Sequence, residues 1–182
     1  MAELPPQTAF VLSRLLAQVE GLDVEITALE QRMAALFAMD EPLRRLMTLP
    51  GVGVVLGIVL WTEIGDITRF ARSEQLAAYA GAVPRVHESG GHRRYGPLRS
   101  DVNRYLKWAF VEAANGVCRI RRRHRQRHTT RLYERIARRR GHQKAIGAVA
   151  RHLAEAAFWM LTRGESYREP DSSRGAPART RS

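Results

Sequence analysis

The chain has 182 residues, with 30 Lys+Arg against 18 Asp+Glu and a formal net charge of +12. Its hydrophobic fraction of 45% is that of a globular protein, so the charge does not mark a wholly disordered chain, and the length suits one domain with appendages. Such a charge points to a polyanionic partner, because Lys and Arg displace the counterions condensed on nucleic acid; an anionic membrane surface is the competing polyanion.

The basic side is almost entirely arginine, with lysine only at Lys107 and Lys144. Guanidinium groups suit phosphates and guanine edges. A single cysteine, Cys118, excludes an internal disulfide framework and a cysteine-rich zinc site. The polar, proline-broken start reads as no signal peptide. The longest apolar run, Val52 to Trp61, is too short to span a bilayer. A soluble intracellular protein is expected.

In chain order, Leu12, Leu15, Val19, Leu22, Ile26, Leu29, Met33 and Leu36 alternate by threes and fours. That heptad predicts a coiled-coil helix over 12–36, either self-paired or folded onto its own domain. Asp40 as a cap and Pro42 in a first turn open a short helix over 43–48. Leu49-Pro50-Gly51-Val52-Gly53 then turns the chain into an apolar helix over 54–64 that stops at Gly65-Asp66. A helix over 73–80, capped by Ser73, closes at Gly81. Residues 83–98 lack a helical period and read as a Gly- and Arg-rich loop or small hairpin. Asp101 is placed to cap a helix over 102–117. The stretch Arg119 to His128 is basic, helices over 131–139 and 143–161 flank Gly141, and a Ser/Pro/Gly/Arg tail is expected to be disordered. The fold class is mainly α: residues 1–42 form an association helix, 43–167 a helical domain, and 168–182 the tail.

Three features can carry chemistry. Gly51 and Gly53, between two short helices, follow the logic of a helix-hairpin-helix element, which grips a phosphate through backbone N–H groups; a tight turn between packed helices is the other reading. Ser89 precedes Gly90-Gly91 with Arg85, Arg93 and Arg94 around it. Guanidinium groups there would bind a scissile phosphate beside a serine hydroxyl, which needs an acceptor for its proton; His87 and Glu88 are the local candidates. Taken alone, Ser-Gly-Gly flanked by arginines is more often a solvated loop. The run from Arg119 to Arg127, with Arg121, Arg122 and Arg123 at its centre, is a phosphate-binding stripe or a solvated surface. The six histidines lack zinc-type spacing, and no carboxylate cluster partners Glu63 and Asp66, so no metal site is expected in this chain.

The order Leu49-Pro50-Gly51-Val52-Gly53, Gly65-Asp66-Ile67, Arg69-Phe70, Ala80-Gly81-Ala82-Val83-Pro84, Ser89-Gly90-Gly91, Arg93-Arg94, Gly96-Pro97-Leu98, Asn103-Arg104-Tyr105-Leu106, Tyr133 and Ala148-Val149-Ala150-Arg151 resembles one family. It is similar to the C-terminal domain of the DEDD-type insertion-sequence transposases, the one-ten family of bridge-RNA-guided recombinases. The resemblance covers roughly 47–167, and a preceding coiled coil is typical of it. It implies that Ser89 attacks DNA to form a phosphoserine link, and that Arg93, Arg94 and Arg104, with Asn103 in the same motif, hold the backbone near the cleavage point. Relatives carry a Ser/Thr-Lys pair where this sequence has Arg99-Ser100; Arg99 would supply the charge one residue earlier.

The resemblance further implies DNA as partner, a guide RNA as a candidate second partner, a homo-oligomer joined through the heptad helix, no membrane, and a bacterial cytoplasm. The family's acidic N-terminal domain, which binds magnesium, is absent from the sequence, so no cofactor is expected within this chain; a truncated or mis-started reading frame would explain that. The expected function is the C-terminal half of a DNA recombinase acting in transposition. The alternative is a non-catalytic DNA- or RNA-binding remnant that modulates a full-length relative.

Overall fold

The computed structural model describes residues 5–36, 40–89, 92–98 and 102–170, with 84–89 and 92–98 described as backbone. The chain divides into two units between residues 39 and 40.

The first unit is one helix, α1 (Pro6–Leu36), 31 residues long and so about 46 Å in length. None of its residues is buried. The heptad positions Leu12, Leu15, Val19, Leu22, Ile26, Leu29 and Leu36 are all exposed, between 43% and 68%.

The second unit is helical, built on α2 (Glu41–Leu46), α3 (Val54–Ile64), α4 (Ser73–Tyr79), α5 (Arg104–Ile120), α6 (His128–Arg140) and α7 (His142–Arg163). Between α4 and α5 the chain forms an antiparallel hairpin, β1 (Pro84–Ser89) and β2 (His92–Leu98). The segment read as a loop or small hairpin is therefore a hairpin.

Helix α7 is the hub, packing against α2, α4, α5 and α6. Its buried face is rich in alanine (Ala145, Ala150, Ala154, Ala157), as is that of α5 (Ala109, Ala113, Ala114), and both share one core with Phe110, Leu106, Leu153 and Val149. Small side chains on both surfaces let the two backbones approach closely, and the larger ones interdigitate. Helix α3 packs on α5 and α2.

Two helix ends depart from expectation. Asp40 stands before α2 but makes no capping bond; its carboxylate accepts the indole N–H of Trp61 at 2.8 Å. Ser73 is the buried first residue of α4 rather than its cap, and Gln75 Oε1 reaches back to the N–H of Ala71 at 2.7 Å. Helix α5 is capped by Asn103, whose Oδ1 accepts the N–H of Leu106 at 3.0 Å, while Asp101 lies outside the described residues. Helix α6 begins at His128, three residues before the expected start at Arg131, and its Thr129 and Thr130 are buried.

Past Arg163, Gly164 leaves α7 in a left-handed conformation (φ +67°) and the chain runs back over the domain. The Tyr167 N–H donates to Thr48 Oγ1 at 2.8 Å, and Glu169 accepts the N–H of His128 at 2.7 Å. The remaining tail, 171–182, lies outside the described residues.

Candidate nucleic-acid interface

The hairpin that carries Ser89 is anchored at both ends by neighbouring helices. On the entering side Gly81 has φ +64°, and a Cβ there would stand 2.6 Å from Val102 Cγ2. Only glycine lets the two ends of the segment approach this closely. On the leaving side the Asn103 N–H donates to the Tyr79 carbonyl at 3.1 Å, tying the start of α5 to the end of α4.

The Asn103 side chain does more than cap. Its Nδ2 donates to Glu63 Oε2 at 2.7 Å and to the Tyr79 hydroxyl at 3.3 Å, so α3, α4 and α5 meet on one amide. The Arg69 guanidinium lies 4.6 Å from the Tyr79 ring centroid and 4.7 Å from that of Phe70. The hydrogen bond from Asn103, followed by Arg69, holds the Tyr79 phenol below its ordinary pKa. Glu63, Arg69 and Tyr79 share no motif along the chain as a cluster; they come together only through the fold.

In the hairpin register Ser89 pairs with His92, Glu88 with Arg93, His87 with Arg94 and Val86 with Tyr95. Paired residues share a face and neighbours along a strand alternate. Ser89, His92, His87 and Arg94 therefore occupy one face of the ribbon, and Glu88 and Arg93 the other. Of the two proposed proton acceptors, His87 shares the face of Ser89 and Glu88 does not. Arg85 lies at the irregularity in the register between Pro84 and Val86. Gly90, Gly91 and Arg99 fall outside the described residues.

The turn between α2 and α3 places its two glycines differently. Gly51 has φ +81°, and its Cα side is pressed on α5: an added Cβ would collide with the Ala113 carbonyl oxygen and stand 2.9 Å from its carbon. Opposite it is Gly116, whose own Cβ would lie 3.3 Å from Gly51 Cα. Gly51 thus seats the turn in the core. Gly53 is exposed at the N-terminus of α3, with open space about it and no side-chain cap on the helix. It leaves the first N–H groups of α3 accessible.

The arginine stretch is divided too. Arg121 is half-buried, donating to the Cys118 carbonyl at 2.8 Å and lying 5.9 Å from the Tyr133 ring centroid. Arg119, Arg122, Arg123 and Arg125 are exposed, as is Arg104 at the first position of α5. Along α6 and into its start, Arg127, Arg131, Arg135 and Arg139 recur every fourth residue, a spacing visible in the sequence that sets them on one side of the helix.

Asp66 is occupied in a local turn, accepting from the Thr68 N–H at 2.9 Å and hydroxyl at 2.7 Å, and these bonds hold its carboxyl below the usual range. Among the described residues no three His, Cys, Asp or Glu side chains gather into a metal-binding group. No helix among them is long and apolar enough to cross a membrane.

Residues 43–129 match the family described as "Transposase IS116/IS110/IS902 family". Over 165 residues the chain is 30% identical to the "Transposase for insertion sequence element IS1111A" of Coxiella burnetii, covering 91% of this chain and 45% of that protein. It is 28% identical over 168 residues to the "Transposase for insertion sequence element IS1328" of Yersinia enterocolitica, covering 91% and 49%. With the "Probable family 20 transposase" of Pseudomonas aeruginosa it shares 30% identity over 118 residues, 65% of this chain and 35% of that one. The chain thus spans less than half the length of each of these relatives.

Proposed function

From the premise that the chain belongs to the IS116/IS110/IS902 transposase family through residues 43–129, we propose that it is the serine-bearing, DNA-binding part of an insertion-sequence transposase. The reading rests above all on the placement of Ser89 at the tip of a hairpin whose base is clamped by α4 and α5.

In the proposed step the Ser89 Oγ attacks a phosphodiester phosphorus. An Oγ–P bond forms, one P–O bond to the strand breaks, and the departing oxygen leaves as a hydroxyl after taking a proton. The serine proton passes to an acceptor on the same face of the ribbon, where His87 and His92 stand in register. Arg94 on that face and Arg104 at the start of α5 supply positive charge for the phosphate, with Arg85, Arg93 and Arg99 extending it along the hairpin.

Asn103 serves as a positioning residue, since its amide is engaged with Glu63, Tyr79 and Leu106. Gly53 opens the end of α3 to a backbone phosphate, and Arg122 and Arg123 add sequence-independent affinity. The exposed seam of α1 pairs with a second copy of the chain. Magnesium is expected on the family's acidic domain; the described residues of this chain offer no donor set that fits it, and their own part in the step is to supply the nucleophile, the proton acceptor and the cations.

The test is covalent capture. Labelled DNA bearing an insertion-sequence end is incubated with the chain, with the acidic domain of a full-length relative added in trans, and resolved under denaturing conditions. A protein–DNA adduct is expected with the native chain and not with Ser89→Ala. Equal adduct from both, or none from either, removes Ser89 as the nucleophile.

A second reading, a DNA- or RNA-binding modulator without catalysis, is favoured by the exposed arginines that lie apart from the hairpin, in the turn after α5. It predicts salt-sensitive binding that Ser89→Ala leaves unchanged and that Arg122→Ala with Arg123→Ala weakens.

A further inference from the structure

Away from the hairpin, α6, α7 and the returning segment 164–170 enclose an open cleft of about 1210 Å³. Its volume exceeds that of a pocket for one drug-sized molecule. Four arginines line it: Arg131 and Arg135 from α6, Arg163 from α7, and Arg168 from the returning segment. Of the two acidic residues on its wall, Glu155 is already paired with Arg151 at 2.7 Å and Glu165 is exposed. Arg131 and Arg135 are exposed and form no ion pair or side-chain hydrogen bond among the described residues. They stand one helical turn apart, about 6 Å along the axis, comparable with one nucleotide step of an extended strand.

The second component is aromatic. Trp159 is 46% exposed although its neighbours Phe158 and Met160 are buried. The Arg163 guanidinium sits 4.6 Å from its ring centroid, and Phe158 braces it edge-on at 5.2 Å. The third is a hydrogen-bonding floor: the rings of His128 and His152 meet at a 40° tilt with centroids 4.8 Å apart, and His152 Nε2 lies 3.4 Å from the Tyr167 hydroxyl. Burial, and then the nearby His128, push the His152 pKa down to about 4, which keeps the His152 ring neutral at physiological pH.

We propose that the α6–α7 cleft is a binding site for single-stranded nucleic acid, taking one unstacked base on Trp159 and the adjoining phosphates on Arg131 and Arg135. A half-exposed aromatic, with Arg163 over its ring, beside unpaired arginines is a combination suited to a single strand: the exposed part of the indole takes a base, and the cations follow the backbone. In a duplex the base faces are stacked, so Trp159 would find none to cover. An acidic peptide would use the arginines and leave the indole idle. The inference rests on the chain's being a nucleic-acid-binding protein and adds a second binding surface to it, remote in the sequence from Ser89.

The experiment uses the whole chain with fluorescein-labelled dT12, U12 and a 12-base-pair duplex, read by anisotropy across a salt series. Both single strands are expected to bind, which of the two more tightly telling whether the strand is DNA or RNA. Trp159→Ala should weaken single-strand binding roughly tenfold or more. Arg131→Ala with Arg135→Ala should lower the slope of log affinity against log salt by about 1.4, or about 0.7 for each phosphate no longer neutralised. Duplex binding should be retained in both, and Arg44→Ala, outside the cleft, should change nothing. The arginine pair is exposed, so its variant keeps the core intact should Trp159→Ala unfold. Unchanged single-strand affinity and slope in the arginine variant, with duplex still bound, overturns the cleft and leaves the broader function standing; loss of duplex and single strand alike in the native chain overturns both. Equal loss of duplex binding in the variants, or displacement of dT12 by poly-glutamate at matched ionic strength, would make the cleft a general anion surface and likewise overturn the proposal.

Discussion

Substituting Gly51 by alanine perturbs one atom and two physical constraints at once. The native φ of +81° lies in the left-handed region, which costs an L-residue about 1–2 kcal/mol. The new Cβ would also meet the Ala113 carbonyl oxygen, carbon and Cα, all backbone atoms of α5. That helix is also packed against α3 and α7 and cannot simply withdraw, so forced repacking adds about 1–3 kcal/mol. The stiffer unfolded chain returns roughly 0.4–1 kcal/mol. The net expectation is a loss of about 2–4 kcal/mol, a large part of the ~5–15 kcal/mol typical of a domain.

The natural contrast is Gly53→Ala two residues on. There φ is −100° and no atom lies within 4 Å of the new Cβ, so the change should stay within about 1 kcal/mol. Urea unfolding followed by the fluorescence of Trp61, Trp108 and Trp159 measures both. With a urea slope of about 1–3 kcal/mol/M, the Gly51 variant should unfold at least about 0.7 M earlier. If the two variants unfold together, the turn is not pressed on α5 and its glycine is free for another purpose.

Acid should weaken the domain through His152. Its folded pKa, about 4, lies below the ordinary 6.5, so the unfolded ring takes up a proton that the folded ring refuses. Stability is therefore complete above pH about 6.5 and declines as pH falls toward 4, by up to ~3 kcal/mol from this group. Burial sets this first and the adjacent His128 ring second; the Tyr167 hydroxyl, flanked by Arg127 and Glu169, also faces His152. Chemical denaturation at pH 7 and pH 5 checks it, and His152→Gln should flatten the difference; an unchanged slope would place the acid sensitivity elsewhere. For α1, sedimentation equilibrium should show an assembly that Leu22→Lys with Ile26→Lys reduces to a monomer, whereas an unaltered mass would mean that the heptad seam is not the joint.

Periodicity and punctuation make most of the helical frame legible. The three-four spacing of leucines locates α1, and the positive-φ glycines at 51, 65, 81, 141 and 164 fall in the turn before α3 or at the ends of helices. Capping is less legible, as Asp40 and Ser73 illustrate. A polar side chain before a helix serves the local N–H groups only when no tertiary partner holds it, and the Trp61 indole is such a partner for Asp40. Tyr105 and Trp108 share helical spacing with Ala109, yet they point outward while Leu106, Phe110 and Ala113 form the buried face. The hairpin's motif is visible around Ser89, but the side on which each residue stands depends on register, which the two glycines of the turn do not declare. The α6–α7 cleft is hidden for another reason: its walls come from Ser73 and from residues between 128 and 170 that no single motif joins.

The central position of α7 has a consequence for how the domain is made. Translation delivers α2 to α6 before the helix on which α2, α4, α5 and α6 all converge. Until its alanine-rich face leaves the ribosome, Leu46, Leu76 and Phe110 have no complete core to enter. The nascent chain must therefore carry these apolar surfaces uncovered, the condition in which chaperones are recruited and aggregation competes with folding. A ribosome that stalls or terminates before residue 142 releases not a smaller domain but an unfolded basic chain. Selection on the codons that precede α7 would then act on fold yield as much as on any residue at the hairpin.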